Sequence, residues 1–84
     1  MIAITIEDQD ICETPADDAK LMGWESINVV GVGLRSRSDE SLRRMIYEIA
    51  VDSVIPYLNE GLVLVGFGID ANHDAIVFYV ARSS

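Results

Sequence analysis

The residues best placed to do chemistry lie together at Asp70-Ala71-Asn72-His73-Asp74. Oxygen ligands at alternate positions open a calcium loop, and a histidine among carboxylates suits a transition metal. The calcium pattern fails at two positions. Ala75 stands where the sharp turn needs glycine, and Ala81 where the closing glutamate belongs. The segment therefore reads as the polar tip of a hairpin, and no metal is expected. His73 is the only histidine and Cys12 the only cysteine. A nucleophilic site would need His73 beside Cys12 or a serine, and nothing in the spacing supports that. The adjacent carboxylates Glu7-Asp8 and Asp17-Asp18 fall on exposed turns, where no burial would raise a pKa for acid–base work. The chain is read as no enzyme and as carrying no cofactor.

Two further patterns concern anions. Gly31-Val32-Gly33-Leu34-Arg35-Ser36 begins like a dinucleotide-binding fingerprint, but Ser36 replaces the third glycine. Both glycines also fall inside an expected strand rather than in the strand-to-helix turn that cradles pyrophosphate. A weaker anion site is left at Arg35, Ser36, Arg37 and Ser38, at the start of an expected helix whose unpaired N–H groups favour negative charge. Asp39 and Glu40 compete for that helix end.

The clearest functional signal is charge. The chain has 84 residues and a formal charge of −8, from 14 acids and 6 bases. Residues 1–25 hold Glu7, Asp8, Asp10, Glu13, Asp17, Asp18 and Glu25 against Lys20 alone, a net of −6. The remainder is nearly balanced. Phosphates would meet the wrong sign, so direct nucleic-acid binding is excluded as an expectation. The acidic N-terminal segment suits a basic protein partner instead, with Glu7, Asp8, Asp10, Glu13, Asp17 and Asp18 as the contact residues. A lone cysteine rules out an intrachain disulfide and fits a cytoplasmic location. Met1 to Ile6 lacks the positive start of a signal peptide, and no run of about 18 apolar residues suggests a membrane span.

These residues need elements to hold them. Ile2, Ile4 and Ile6 alternate as one face of a strand, ended by Glu7-Asp8-Gln9-Asp10. Thr14-Pro15-Ala16-Asp17 starts a short helix capped by Thr14 and stopped by Gly23, with Leu21, Met22 and Trp24 anchoring it to the core. Ile27–Leu34 reads as a strand. Ser36 or Ser38 caps a long helix from about Asp39 to Ile55, ended by Pro56. Leu62–Ile69 and Ala75–Ala81 read as strands joined by a loop of about five residues. The expected fold is a single α+β domain over 1–84. Its order is β-α-β-α-β-β, with a mixed four-stranded sheet and one long helix packed on one face.

Val29-Val30-Gly31-Val32-Gly33-Leu34 returns 35 positions later as Leu64-Val65-Gly66-Phe67-Gly68-Ile69. Bare glycines at alternate positions mark close approach by something, with the long helix the leading expectation, then a second subunit, then a flat ligand. At 100° per residue the long helix carries two apolar stripes. Leu42, Met45, Ile46 and Ile49 form one; Tyr47, Val51, Val54 and Leu58 form the other, nearly opposite. Half of all residues are hydrophobic and mean hydropathy is +0.26, which is much for so small an interior. The surplus predicts a homodimer, through the second sheet face or through the helix stripe of Tyr47, Val51, Val54 and Leu58. The leading functional expectation is a non-enzymatic inhibitor or adaptor that imitates nucleic-acid charge toward a basic target. By size and charge alone, that is the mode of phage anti-defence and bacterial immunity proteins. Two alternatives are a small oligomeric flavin- or nucleotide-binding protein and a structural subunit of a phage or bacterial assembly.

Overall fold

The apolar start of the chain does not stand alone as one strand; it pairs with the acidic segment that follows. The computed structural model describes residues 2–83. In it Ala3–Ile6 (β1) and Gln9–Cys12 (β2) form an antiparallel hairpin, with Ile6 opposite Gln9 and Ile4 opposite Ile11. The turn is only Glu7-Asp8, and both residues have positive φ, 51° and 66°. That is the sign of a type I′ turn, which matches the twist of the strands but is normally built with Asn-Gly. Ile2, Ile4, Ile6 and Ile11 all face the core.

A short helix follows, Ala16–Met22 (α1), then strand Glu25–Val30 (β3), the long helix Asp39–Ile49 (α2), and strands Leu62–Asp70 (β4) and Ala75–Arg82 (β5). The class is α+β, but the sheet is divided. The β1–β2 hairpin is one sheet, and the other has the order β3-β5-β4, antiparallel throughout, with β5 at its centre. The expected mixed sheet is thus corrected among the described residues. Among the described residues the one parallel element is a single bridge between Glu13 and Phe67. There the Thr14 N–H donates to the Phe67 carbonyl at 2.8 Å and ties the hairpin to β4.

Both sheets turn apolar residues toward α2. Phe67, Ile76, Phe78 and Val80 from β4 and β5 join the four isoleucines around Ile46, Ala50 and Val54. α2 begins as expected, with Ser38 as N-cap and its Oγ accepting from the Ser41 N–H. It does not run on as one α-helix to Ile55. It widens into a π-helical turn over Ala50–Val54 and tightens into a 3₁₀ turn over Ile55–Tyr57 around Pro56. A π turn advances fewer degrees per residue than an α turn, because its bonds span i to i+5. Val54 therefore stays on the side of Ile46 and Ala50 instead of drifting to a second stripe.

A β-bulge does the equivalent in β4. Leu64 opposes Val80 and Gly66 opposes Tyr79, so Val65 is an extra residue. Before the bulge the even positions face the core; after it, Phe67 and Ile69 do. This is why Leu62–Val65 reads as apolar on both sides. α1 also departs from expectation. Pro15, not Thr14, occupies the N-cap position, with no side-chain cap, while Gly23 closes the helix as expected. Leu21 and Met22 do not anchor it: they are 86% and 64% exposed, and the buried residue is Ala19.

Candidate functional site

The six acidic residues lie on the β1–β2 hairpin, at Glu13 just beyond it, and on α1. Glu7 and Asp8 are the hairpin turn, and Glu7 lines a cavity that Glu60 also lines. Asp10, on β2, accepts a hydrogen bond from Thr5 Oγ1 at 2.9 Å. Glu13 is half-buried, and its Oε1 accepts from the Ile2 N–H at 3.2 Å. Asp17 and Asp18 lie in the first turn of α1. None of the six is paired with a lysine or arginine among the described residues, where the one such ion pair is Glu40–Arg44 at 3.9 Å. On α1 the helical spacing sets Asp17 beside Leu21 and Asp18 beside Met22, at i and i+4. The result is a short helix that shows water two carboxylates and two large apolar side chains.

The expected dimer stripe is mostly used inside the chain. Val54 is 1% exposed, and Val51 and Leu58 pack against the core, leaving Tyr47 at 43%. Val54 thus offers no surface to a partner, because the π turn has rotated it inward.

Just before the expected anion site of Arg35, Ser36, Arg37 and Ser38, the chain binds a carboxylate of its own. Gly31 and Gly33 lie beyond the end of β3, not within it, and have φ of 70° and 79°. The Gly31 and Val32 N–H groups donate to the Asp74 carbonyl at 2.9 and 3.2 Å. The Gly33 and Leu34 N–H groups donate to its carboxylate at 3.0 and 2.7 Å. Successive N–H groups converging on one anion form a nest, the arrangement that phosphate loops use. Here a carboxylate 40 positions along the chain from Leu34 fills it. The Leu34 N–H, then that of Gly33, and the charge of Arg37 hold the Asp74 carboxyl below its usual value. Arg37 also donates from Nε to the Gly33 carbonyl at 2.6 Å and from Nη1 to Ser41 Oγ at 3.0 Å. Ser38 is the helix cap. Arg35 and Ser36 remain exposed on the loop, with Ser36 at φ 62°.

The second glycine pair explains itself differently. A β-carbon on Gly66 would lie 2.7 Å from Thr14 Oγ1 and 3.3 Å from the Trp24 ring; one on Gly68 would lie 3.2 Å from the Tyr79 hydroxyl. The neighbour is not the long helix, which packs on the other sheet face. It is the strap from Thr14 to Trp24, together with a tyrosine across the strand. Where that strap stops short, a cavity of about 730 Å³ opens between Glu13–Ala16 and the β4–β5 hairpin. Glu13, Thr14, Gly68, Asp70, Asn72 and Tyr79 are among the residues that line it. Asp70 accepts from the His73 backbone N–H at 3.2 Å and lies 2.8 Å from His73 Nδ1. The side-chain contact with His73 lowers the Asp70 pKa most. Tyr79 is 7% exposed, and its ring is tilted against Trp24 at a centroid distance of 6.3 Å.

Sequence reasoning missed this cavity because its parts lie in four separate stretches. The one available signal was Gly68 itself, a bare position in a strand that otherwise wants side chains. Among the described residues no three His, Cys, Asp or Glu side chains converge on a metal-sized space. No helix there is long and apolar enough to cross a membrane. No protein-family model, curated protein or solved structure matches this chain.

Proposed function

We propose that this protein is a non-enzymatic inhibitor or adaptor that docks on a basic protein through its acidic N-terminal segment, with α1 at the contact. The observation that supports this most is the composition of the α1 surface. Asp17 and Asp18 stand beside Leu21 and Met22, exposed and without a charged partner among the described residues. Apolar side chains ringed by charge are the usual make-up of a docking patch. Leu21 and Met22 do not stabilise the monomer, so their burial is left for a complex. The carboxylates at the hairpin turn and on α1 set the sign of that partner and speed the encounter.

The test begins with affinity capture from the native host, followed by surface plasmon resonance on the captured protein. Association should slow steeply between about 50 and 500 mM salt, as screening shortens the reach of the charges. Replacing Asp17→Lys and Asp18→Lys should slow association at least tenfold at low salt, with the fold intact by circular dichroism. An association rate indifferent to both salt and charge reversal would refute the proposal.

A further inference from the structure

We infer that the outer edge of β3 is a dimer interface, where a second copy of this chain pairs antiparallel to it about a two-fold axis through Asn28. The register with β5 decides which backbone groups are free. The Gly31 N–H donates to the Asp74 carbonyl across from it, and bonded pairs alternate along an antiparallel ladder. Val29, Ile27 and Glu25 therefore bond to β5, opposite Ile76, Phe78 and Val80. Ser26, Asn28 and Val30 turn their N–H and carbonyl groups outward. No other backbone segment takes up those groups among the described residues, and all three residues are exposed. The opposite edge of the sheet differs, because the Glu13–Phe67 bridge and the Thr14 N–H meet β4 there. β3 also lacks the guards that usually keep an open edge solitary. It has no proline, no lysine and no bulge, and its single charge is Glu25 at its start.

The strand is complementary to itself in one register. With the axis at Asn28, Ser26 faces the partner's Val30, Asn28 faces the partner's Asn28, and Val30 faces the partner's Ser26. All three outward residues then form bonded pairs, with two backbone hydrogen bonds in each. A slip of one residue sets outward groups against inward ones, and a slip of two leaves one end of the edge unpaired. The Asn28 amide can donate to its own copy and accept from it. On the core face Ile27 meets the partner's Val29, once on each side of the axis. Both residues are half-buried at the margin of the core, so pairing extends an apolar row that already exists. Charge permits the contact although each chain carries −8. Glu25 falls opposite the partner's Gly31, roughly 20 Å from the partner's Glu25, which is beyond the screening length at physiological salt. A basic strand from another protein would find no carboxylate along Ser26–Val30 to select it. The product is one antiparallel sheet in the order β4-β5-β3-β3-β5-β4. A single strand edge is a small contact, so the dimer is weak and concentration-dependent. It is independent of the acidic docking surface on α1.

Sedimentation equilibrium between about 10 µM and 1 mM protein tests the state. The mass should rise from 9.2 kDa toward twice that value. Added salt should strengthen the dimer severalfold, because it screens the repulsion between two acidic chains. Salt weakens the proposed complex with a basic protein, so the two readings fail separately. Amide exchange by NMR locates the contact. At low concentration Ser26, Asn28 and Val30 should exchange freely while Glu25, Ile27 and Val29 are protected. At high concentration the alternation should fade as the outward amides slow severalfold. Asn28→Lys and Asn28→Asp each set like charges face to face on the axis. Each variant should stay monomeric with an unchanged circular dichroism spectrum, and an equimolar mixture of the two should dimerise again. Should either variant lose its fold, the exchange pattern of the unaltered chain decides alone. A mass of one chain throughout, a dimer that tolerates both substitutions, or a mixture that stays monomeric would each overturn the interface. So would self-association that leaves the three outward amides free.

Discussion

Asp74 shows how one side chain can settle the course of a loop far from it in sequence. Its carbonyl and carboxylate receive four consecutive N–H groups, Gly31 to Leu34, and so fix the exit from β3 and the entry to α2. Because the Leu34 and Gly33 bonds to the carboxylate favour its ionised form, the folded pKa lies below the unfolded one. The stabilisation is then complete above the ordinary carboxylate range and is lost as pH falls through the lowered value. Asp74→Asn should flatten the acid side of the stability–pH curve, followed by urea unfolding between pH 2 and 7. It should also raise amide hydrogen exchange at Gly33 and Leu34 at least tenfold, since one carboxylate oxygen becomes an N–H donor facing another donor. Exchange rates matching the wild type would show that the loop holds itself. Nothing near Asp74 in sequence announces this role. Val29-Val30-Gly31-Val32-Gly33-Leu34 alternates like a strand, and only the positive φ values at both glycines reveal a nest.

Among the elements, α2, β4 and β5 were legible because each is a long apolar-rich run bounded by turn residues or proline. β2 was not, because Gln9-Asp10-Ile11-Cys12 carries a single inward apolar residue and its turn lacks glycine. The strain in that turn is testable. Residues without glycine's freedom cost about 1–2 kcal/mol each in the left-handed region, less for Asp. Glu7→Asn with Asp8→Gly supplies the preferred type I′ pair and should stabilise the fold by about 1 kcal/mol. In a chain of this size that raises the melting temperature by roughly 4–8 °C; an unchanged midpoint by calorimetry would mean the turn carries no strain. The π turn and the bulge at Val65 were invisible for a common reason. Each adds one residue to a repeat, and a fixed angle of 100° or 180° per residue cannot register the slip. The acids of the candidate site were plain from composition. Their placement on the hairpin, just beyond it and on α1 required the fold.

For the whole molecule, the distribution of apolar residues separates stability from recognition. Phe78 lies at the meeting point of both sheets and α2, wholly buried. Phe78→Ala should cost about 3–5 kcal/mol by urea unfolding. Leu21→Gln with Met22→Gln should change stability by no more than about 0.5 kcal/mol, as for other surface positions. A large loss from the second pair would place α1 in the core after all. The strand order carries a further consequence, for biosynthesis. β5 is central, yet it is translated after both strands it joins, and 44 residues separate the end of β3 from its start. At roughly 5–20 residues per second, the nascent β3 waits several seconds on the ribosome with nothing to pair with. The acids of the first 18 residues emerge before any of it, and their mutual repulsion discourages neighbouring nascent chains on a polysome from sticking together in that interval.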